Sequence, residues 1–245
     1  MLESIEGKRG MPRIKPPFPA MKGLFGKPTI INNTETLASV PKIMRSENGW
    51  YQNIGLEKSE GVKMFCMSGH INKPGNFEIP LGTPFKDLLN MSGGVLNDNK
   101  LKAVIPGGSS VPVVKGEDML EINMDYESIT NAGSMLGSGG VIVMDETTCM
   151  VSVLHRISRF YYAESCGQCT PCREGTGWLY KMLTTILKGE GTIDDLDQLN
   201  RIAFQIEGHC ICALGDAAAM PVRSFLKHFW HEFEYYVDKK QSMVS

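Results

Sequence analysis

The sequence predicts an α+β protein built from three successive parts. Proline-rich chain dominates the first part, which we place at residues 1–58. Short strand-like segments separated by glycine turns fill residues 59–145, and apolar residues at helical spacing run through residues 146–245. We therefore expect a small sheet domain followed by a bundle of helices, with an N-terminal segment that is not a self-sufficient domain.

Residues 1–58 lack the regular apolar pattern of an independent domain. Four prolines within residues 8–19 fix an extended connector. A short strand then leads into a helix predicted from Glu35 to Arg45, for which Asn33 or Thr34 is a suitable N-cap. Polar side chains at such a junction suit plain helix capping or the binding of a phosphate or ribityl group, and residue types alone leave both interpretations open.

The segment 59–145 has the pattern of a compact β-grasp unit. Strands are predicted at residues 62–70, 77–79, 101–105 and 141–144. Thr83 is predicted to cap a short helix between the second and third strands. Cys66 lies within the first strand, where we expect a buried thiol. The turn at residues 106–110 lacks the Lys-Ser/Thr pair of a phosphate loop, so we interpret it as a surface turn.

From residue 146 onward, apolar residues recur at helical spacing. Four stripes are predicted to face a common core: Val151, Leu154, Ile157, Phe160 and Tyr161; Trp178, Leu179, Met182, Leu183, Ile186 and Leu187; Ile193, Leu196, Leu199, Ile202 and Ile206; and Val222, Phe225, Leu226, Phe229, Phe233 and Tyr236. Thr192 and Asp195 resemble a capping box before the third helix, and Pro221 is predicted to open the fourth. Four such helices make a small bundle.

Charge and composition narrow the functional class. The 245 residues carry a formal net charge of −2, so nothing favours binding to nucleic acid or to an anionic membrane. No apolar run approaches the length of a membrane span, and the N-terminus lacks the pattern of a signal peptide. Seven cysteines in such a chain indicate metal chemistry in a reducing cytoplasm rather than disulfides. We expect a globular, cytosolic-side protein without direct membrane insertion.

Three cysteines lie in one tight loop. Cys166, Cys169 and Cys172 follow one another at three-residue intervals in the sequence ESCGQCTPCREG at residues 164–175. A Cys-x-x-Cys-x-x-Cys run with one remote cysteine is the usual way to hold a cubane iron–sulfur cluster. Structural zinc sites prefer two separated cysteine pairs or mixed cysteine and histidine ligands, which this run matches less well. The motif therefore predicts a [4Fe–4S] cluster.

The fourth ligand must come from another part of the chain, and Cys210 and Cys212 are both candidates. Cys212 opens a short turn, CALGD at residues 212–216, that can fold over a cluster, whereas Cys210 follows His209 at the end of a predicted helix. The turn favours Cys212. His209 is a possible ligand, but a capping or surface role is commoner for a histidine at a helix end. We interpret Cys149, near a helix start, as a bystander.

Motifs along the whole chain together resemble one family. Near the cysteines they are ESCGQCTPCREG, EGH at 207–209 and CALGD; upstream they are SIEGKRG at 4–10, PRIKPPFPA at 12–20, INN at 31–33 with ET at 35–36, and VIPGGSS at 104–110. This set is similar to the flavin subunit of respiratory complex I, which is the F subunit of NADH-quinone oxidoreductase. The resemblance implies the end of an α/β flavin-binding domain at 1–58, an SLBB-type β-grasp domain at 59–145 and a four-helix bundle carrying a [4Fe–4S] cluster at 146–245.

The resemblance also implies roles for individual residues. The positions that match the cluster ligands are Cys166, Cys169, Cys172 and Cys212. The positions that match contacts to the phosphate and ribityl chain of FMN are Asn32, Asn33 and Thr36. The family commonly has threonine at the position of Cys210, so this cysteine is a departure. No residue of this chain is implied to be catalytic.

One part of the family pattern has no counterpart in this sequence. In the family, a glycine-rich site for NADH and FMN and a Gly-Glu-Glu-Thr-Ala segment lie upstream of the stretch that begins at Met1 here. We therefore expect the chain to be a portion of such a subunit, with a partial FMN site. On that expectation, this chain by itself does not support hydride transfer from NADH to FMN.

In the complete subunit, the resemblance implies electron transfer from NADH through FMN to the [4Fe–4S] cluster and on toward quinone. The implied partners are a thioredoxin-like two-iron cluster subunit and the large multi-cluster subunit of the complex I peripheral arm. The implied location is the cytoplasmic, inner face of the membrane. Two other interpretations remain: a diaphorase subunit of an NAD-linked hydrogenase or formate dehydrogenase, and an inactive truncated scaffold that only binds partner subunits.

Overall fold

The N-terminal segment contains little regular secondary structure. The computed structural model describes residues 1–244. The helical elements of the segment are α1 (Leu2–Ile5), a 3-10 turn at Leu24–Gly26, and α2 (Thr34–Arg45). Asn33 caps α2 by accepting a hydrogen bond from the amide of Glu35. The carboxylate of Glu35 accepts a hydrogen bond of 2.7 Å from the amide of Met64, so the start of α2 is attached to the sheet.

A five-stranded mixed sheet forms the second part of the protein. Its strands are β3 (Val62–Gly69), β4 (Gly75–Pro80), β5 (Leu101–Ile105), β6 (Val114–Lys115) and β7 (Gly140–Asp145), preceded by a hairpin of β1 (Gly55–Leu56) and β2 (Ser59–Glu60). The order across the sheet is β4-β3-β7-β5-β6, with β3 and β7 parallel and the other neighbours antiparallel. Strand β7, the last in sequence, therefore lies in the middle of the sheet.

The first face of the sheet is buried under three short helices. These are α3 (Phe85–Met91), α4 (Gly116–Met119) and α5 (Tyr126–Asn131). Phe65 and Val143 from the strands and Phe85 from α3 are fully buried in one apolar cluster. Gly69 ends β3 with a φ of +91°, and a side chain at this position would collide with the carbonyl oxygen of Val143. Both the backbone conformation and the close approach to β7 therefore require glycine there.

The third part consists of helices that pack against one another. They are α6 (Met150–Glu164), α7 (Thr170–Leu187), α8 (Ile193–Ile206) and α9 (Leu214–Lys239). Their buried side chains form one apolar cluster, which includes Leu154, Leu183, Leu199, Phe225 and Phe233. Within the described residues, no helix combines the length and the apolar character needed to cross a membrane.

The second face of the sheet packs on the helices, so the two parts share one core. Ala103 and Ile105 of β5 belong to the same buried cluster as the helical side chains. A buried ion pair lies at this junction: Nζ of Lys102 in β5 is 2.8 Å from Oε1 of Glu232 in α9. The ammonium group also donates to the carbonyl oxygen of Thr148 at 2.6 Å. Because charges in such an interior need partners, this pair fixes how β5 meets the helices.

The structure confirms the α+β class and the order of sheet first, helices second. Strands occur at each predicted position, α2 covers the predicted helix, and Thr192 and Asp195 form the predicted capping box. The strand β6 and the helices α4 and α5 were not predicted, because each is only two to six residues long and lacks a periodic pattern.

Several predictions of burial and capping are wrong. Cys66 is exposed, because its neighbours Phe65 and Met67 occupy the buried face of β3 and side chains alternate along a strand. Thr83 does not cap a helix: its hydroxyl donates to the carbonyl of Pro80, and α3 begins two residues later. Pro221 is buried inside α9 rather than at its start, since the helix already begins at Leu214.

Some residues that we assigned to the buried apolar stripes of the helices are exposed. Three of their residues are exposed: Phe160, Trp178 and Ile193. Periodicity identifies the side of a helix that faces the core, but not how far the neighbouring helices cover that side. The aromatic residues of α9 behave as predicted, with Phe225, Phe229 and Phe233 all buried.

The buried carboxylate of Asp145, at the end of β7, leads us to predict how the stability of the fold changes in acid. Its side chain is 2% exposed. Burial raises the pKa, but hydrogen bonds from Asn99, Thr147 and His70 outweigh burial and bring the pKa of Asp145 to about 2. Because this pKa lies below the ordinary 3.8, the ionised group stabilises the fold above about pH 4, by about 2 kcal/mol. That contribution is lost as the pH falls through about 2.

Urea unfolding of Asp145→Asn should therefore show reduced stability at pH 7 and a flatter pH dependence between pH 4 and pH 2 than the parent chain. The exposed neighbour Glu146 provides the control, as Glu146→Gln. Equal losses in the two variants, or an unchanged slope in Asp145→Asn, would contradict this role for Asp145.

Candidate metal centre

The predicted cluster cysteines lie at one end of the helical part. Cys166 and Cys169 are in the loop between α6 and α7, and Cys172 is in the first turn of α7. Cys212 is in the loop between α8 and α9. Cys172 is buried, and the other three are partly exposed. Two loops that are far apart in sequence thus present thiols at the same end of the protein.

The other three candidate thiols lie close enough to Cys172 to affect its pKa. Burial raises the pKa of the Cys172 thiol, a contact of 3.2 Å with the hydroxyl of Ser165 opposes that rise, and nearby Cys212, Cys166 and Cys169 raise the pKa further. Cys172 is therefore the point at which the two loops meet. Within residues 1–244, no three His, Cys, Asp or Glu side chains lie close enough together to hold a single metal ion.

The donor set and the loop backbone fit a [4Fe–4S] cluster. Thiolates are the ligands that such clusters use, and hydrogen bonds to their sulfurs tune the reduction potential. The amide of Ile211 donates to Sγ of Cys169 at 3.3 Å. Gly167 adopts a φ of +79°, which allows the sharp turn between Cys166 and Cys169. The chain therefore supplies four thiols, a close backbone turn and at least one amide directed at sulfur.

Cys210 lies against this group, close to Cys172, and also contacts the end of α8. Burial, followed by the nearby thiols of Cys172 and Cys169, raises the pKa of Cys210 to about 11. Its Sγ lies 3.7 Å from the carbonyl oxygen of Ile206, to which the thiol donates. Cys210 thus interacts with the end of α8. His209 is also occupied locally, with Nδ1 2.8 Å from the carbonyl oxygen of Glu207.

The side chain of Cys210 fits against Gly215 only because glycine has no Cβ. This contact leads to a prediction about how much cluster the chain can hold. A methyl group at residue 215 would lie 2.5 Å from Sγ and 2.9 Å from Cβ of Cys210. Alanine normally favours a helix over glycine, but here Cβ of Cys210 cannot rotate away. Gly215→Ala should therefore displace the loop that carries Cys212 and lower the iron and sulfide content after reconstitution.

Removing the sulfur atom that is in the way provides the matched control. The double variant Gly215→Ala with Cys210→Ala should regain part of the cluster content, since Sγ no longer fills the space. A full cluster content in Gly215→Ala alone would show that the loop tolerates the methyl group.

Sequence reasoning missed three contributors to this site. Arg9 donates from Nη2 to the carbonyl oxygen of Cys166 at 2.7 Å, although 157 residues separate them. Ser165 contacts the buried thiol of Cys172, and Ile211 donates its amide to Cys169. Arg173, which follows Cys172, pairs with Glu174 at 2.9 Å and also donates to the carbonyl oxygen of Gly167.

The predicted FMN residues lie apart from the thiols, at the start of α2. Asn32, Asn33 and Thr36 are all exposed. Asn33 uses its side-chain oxygen to cap α2, at 2.8 Å from the amide of Glu35, which is the plain capping interpretation. A cavity of about 750 Å³ lies between the N-terminal segment and the loop of Cys212, and Ile31 and Cys212 both line it. The cavity therefore connects the neighbourhood of the asparagines with the thiol group.

Two family models match this chain. Residues 152–236 match the NADH-ubiquinone oxidoreductase-F iron-sulfur binding region. Residues 63–143 match the SLBB domain. The first covers the helices and all four candidate cysteines, and the second covers the five-stranded sheet.

Similar proteins extend beyond these regions. The NADH-quinone oxidoreductase F subunit 2 of Rhizobium meliloti (strain 1021) is 51% identical over 242 residues, covering 98% of this chain and 57% of the relative. The F subunit of the same enzyme from Rickettsia bellii (strain OSU 85-389) is 51% identical over 236 residues, covering 96% of this chain and 57% of the relative. The chain thus spans a little over half the length of these relatives.

Solved structures show the same fold. Crystal structures of an NAD+-reducing [NiFe]-hydrogenase in the H2-reduced and air-oxidised states each match with a TM-score of 0.88 and 33% sequence identity. Each match covers 96% of this chain and 40% of the hydrogenase chain. The identity to the two NADH-quinone oxidoreductase relatives is higher, and it extends over nearly all of this chain. The resemblance drawn from the motifs is thereby confirmed: over nearly its whole length, this chain is homologous to a portion of the F subunits of NADH-quinone oxidoreductase.

Proposed function

We propose that this chain is an electron-transfer portion of an NADH:quinone oxidoreductase, an oxidoreductase that passes electrons from NADH through FMN to a [4Fe–4S] cluster and on toward quinone. The observation that supports it most directly is the meeting of thiols from two distant loops around Cys172. Cys166, Cys169, Cys172 and Cys212 would hold the cluster. When bound, such a cluster supplies one-electron chemistry without a change of ligands.

The protein's own residues hold and tune the site. Cys172 lies in the first turn of α7, and the other three thiols lie in short loops whose ends are held by helices, which suits a site whose geometry must not change between redox states. The amide of Ile211 directs a partial positive charge at Cys169. The helices pack around an apolar core that leaves Cys172 buried, and limited solvent access further sets the potential.

The domain roles follow the three parts of the chain. Residues 1–58 would form the end of a flavin-binding domain, residues 59–145 an SLBB-type β-grasp domain, and residues 146–245 a four-helix bundle that carries the cluster. Asn32, Asn33 and Thr36 would contact the phosphate and ribityl chain of FMN. The cavity that runs from Ile31 to Cys212 supports this arrangement, because it brings the edge of the proposed flavin site to the thiols.

NADH would be the substrate of the complete subunit, of which this chain spans a little over half. The proposed partners are a thioredoxin-like two-iron cluster subunit and the large multi-cluster subunit of the complex I peripheral arm. In such an assembly the chain would lie on the cytoplasmic face of the membrane. A pull-down that recovers neither partner would count against this placement.

Anaerobic reconstitution tests the proposal. The purified chain would be treated with iron and sulfide, supplemented with FMN, reduced with dithionite and examined by electron paramagnetic resonance. We expect a reduced [4Fe–4S] signal with iron and sulfide in equal amounts, and weak or no retention of FMN. A colourless chain that instead retains one equivalent of zinc would support the interpretation of an inactive scaffold.

A second candidate function is that of a diaphorase subunit in an NAD-linked hydrogenase. The structural match to an NAD+-reducing [NiFe]-hydrogenase favours it. The higher identity to the F subunits of NADH-quinone oxidoreductase argues for the first proposal. Affinity purification from the native cell distinguishes them, because co-purification of a hydrogenase or formate dehydrogenase subunit would select the diaphorase.

A further inference from the structure

Arg9 links the N-terminal segment to the loop that carries the first two cysteines. Its Nη2 donates to the carbonyl oxygen of Cys166 at 2.7 Å. A hydrogen bond from a charged donor is stronger than one between neutral groups. The two residues that this hydrogen bond joins are 157 positions apart in the sequence.

The other charged residues around Arg9 are paired with one another. Arg13 forms ion pairs with Glu3 and Glu6, and Lys8 pairs with Glu6 at 2.8 Å. Lys8 and Arg13 hold the pKa of Glu6 at about 2, so this carboxylate stays ionised. Within residues 1–244, no carboxylate is within ion-pair distance of Arg9. Among the described residues, the guanidinium group of Arg9 is therefore directed at the cysteine loop, while the neighbouring charges are paired with one another.

A second guanidinium group holds the next carbonyl of the same loop. Nη1 of Arg173 donates to the carbonyl oxygen of Gly167 at 2.9 Å. A Cβ built on Gly167 would lie 3.7 Å from Cδ of Arg173 and 3.8 Å from Nη2 of Arg9, so both side chains lie against this glycine. We call Arg9 and Arg173 the arginine clamp. The clamp holds two successive peptide groups of the loop.

The clamp is connected to the buried thiol through one peptide group and one hydroxyl. The carbonyl that Arg9 binds belongs to the same planar peptide as the amide of Gly167. That amide donates to Oγ of Ser165 at 3.3 Å, and Oγ of Ser165 is 3.2 Å from Sγ of Cys172. Fixing the carbonyl therefore also fixes the amide, and with it the hydroxyl that faces the thiol.

We propose that Arg9 is a positioning residue for the cluster: it fixes the Cys166–Gly167 peptide and raises the reduction potential by placing a positive charge beside the cysteine loop. The second half of this inference rests on the proposed function. Adding one electron makes the cluster more negative, so a nearby cation stabilises the reduced form relative to the oxidised one. The first half concerns the loop alone and applies without a cluster.

The test uses three single variants of the full chain: Arg9→Gln, Arg9→Lys and Lys27→Gln. Lys27 is the matched control, because it is an exposed cation of the same segment that makes no hydrogen bond to the cysteine loop within residues 1–244. In a dithionite titration followed by electron paramagnetic resonance, we expect the midpoint potential to be lower in Arg9→Gln. It should be partly restored in Arg9→Lys and unchanged in Lys27→Gln. The shift should shrink as salt is added, because Arg9 is exposed.

Amide hydrogen exchange of the metal-free chain separates this inference from the proposed function. We expect Arg9→Gln to lose protection at residues 165–169, and Lys27→Gln to retain it. If the parent chain takes up no cluster, the proposed function fails while the exchange result still decides whether the clamp exists. Equal potentials in Arg9→Gln and the parent chain, or equal shifts in Arg9→Gln and Lys27→Gln, would overturn the role of Arg9 in setting the potential. Unchanged exchange would overturn its role in positioning.

Discussion

Replacement of Cys172 by serine is expected to abolish the reduced [4Fe–4S] signal of the reconstituted chain. Cys172 is the buried thiol, and the other three candidate ligands all lie near enough to affect its ionisation. A serine hydroxyl is a much poorer iron ligand than a thiolate, and it would leave one corner of a cubane without its sulfur donor. We expect complete loss of the four-iron species, which either becomes a three-iron species or fails to assemble.

Cys210→Ser is the matched control for this experiment. Its thiol is part of the same neighbourhood but donates to the carbonyl of Ile206. This variant should retain the four-iron signal, whereas Cys212→Ser should lose it. A full cubane signal in Cys172→Ser would make the ligand assignment wrong, and loss in Cys210→Ser with retention in Cys212→Ser would transfer the fourth position to Cys210.

Replacement of Lys102 by methionine is expected to lower the free energy of unfolding by about 3–5 kcal/mol, because it leaves a buried carboxylate without a counter-charge. The side chains of Lys102 and Glu232 are 15% and 4% exposed. Glu232 also accepts a hydrogen bond from the amide of Met150 at the start of α6, so a displaced carboxylate would disturb that helix as well. Urea unfolding at pH 7 measures the loss.

The double variant Lys102→Met with Glu232→Leu should be more stable than Lys102→Met alone, since an apolar pair of similar size avoids the unpaired charge. Lys239→Met is the surface control: Lys239 pairs with Asp238, and both are more than half exposed. We expect the control to change stability by less than about 0.5 kcal/mol. A similarly small loss in Lys102→Met would show that solvent reaches Glu232 more readily than its burial indicates.

The elements that the sequence predicted well are those whose signals are local. Strand alternation, the helix after Asn33 and the capping box at Thr192 each depend on residues within one turn or one strand of each other. The cysteine motif is likewise compact, so its chemistry could be proposed from spacing alone. The similarity to NADH-quinone oxidoreductase relatives then confirms the resemblance, while the ligand set and the FMN residues stay predictions.

The features that sequence reasoning missed depend on parts of the chain that meet only after folding. Nothing in the sequence near Arg9 indicates a contact with Cys166, and nothing near Lys102 indicates Glu232. Cys66 shows a related difficulty. The alternation of side chains divides a strand into two faces, but it does not tell which face the rest of the protein covers. Pro221 shows that a strong start signal fails when helix-forming residues precede it, here Ala217 to Ala219.

The central position of β7 has a consequence for the order in which the protein folds. This strand pairs with β3, whose residues come some seventy positions earlier, as in the pairing of Cys66 with Gly140. Such long-range pairing is slow, because the intervening chain must first be closed into a loop. Since β7 continues into α6 and the sheet shares a core with the helices, the helices reach their final packing on the sheet only after the strand is inserted. Iron and sulfide delivered during synthesis would therefore meet a site whose supporting core is completed late.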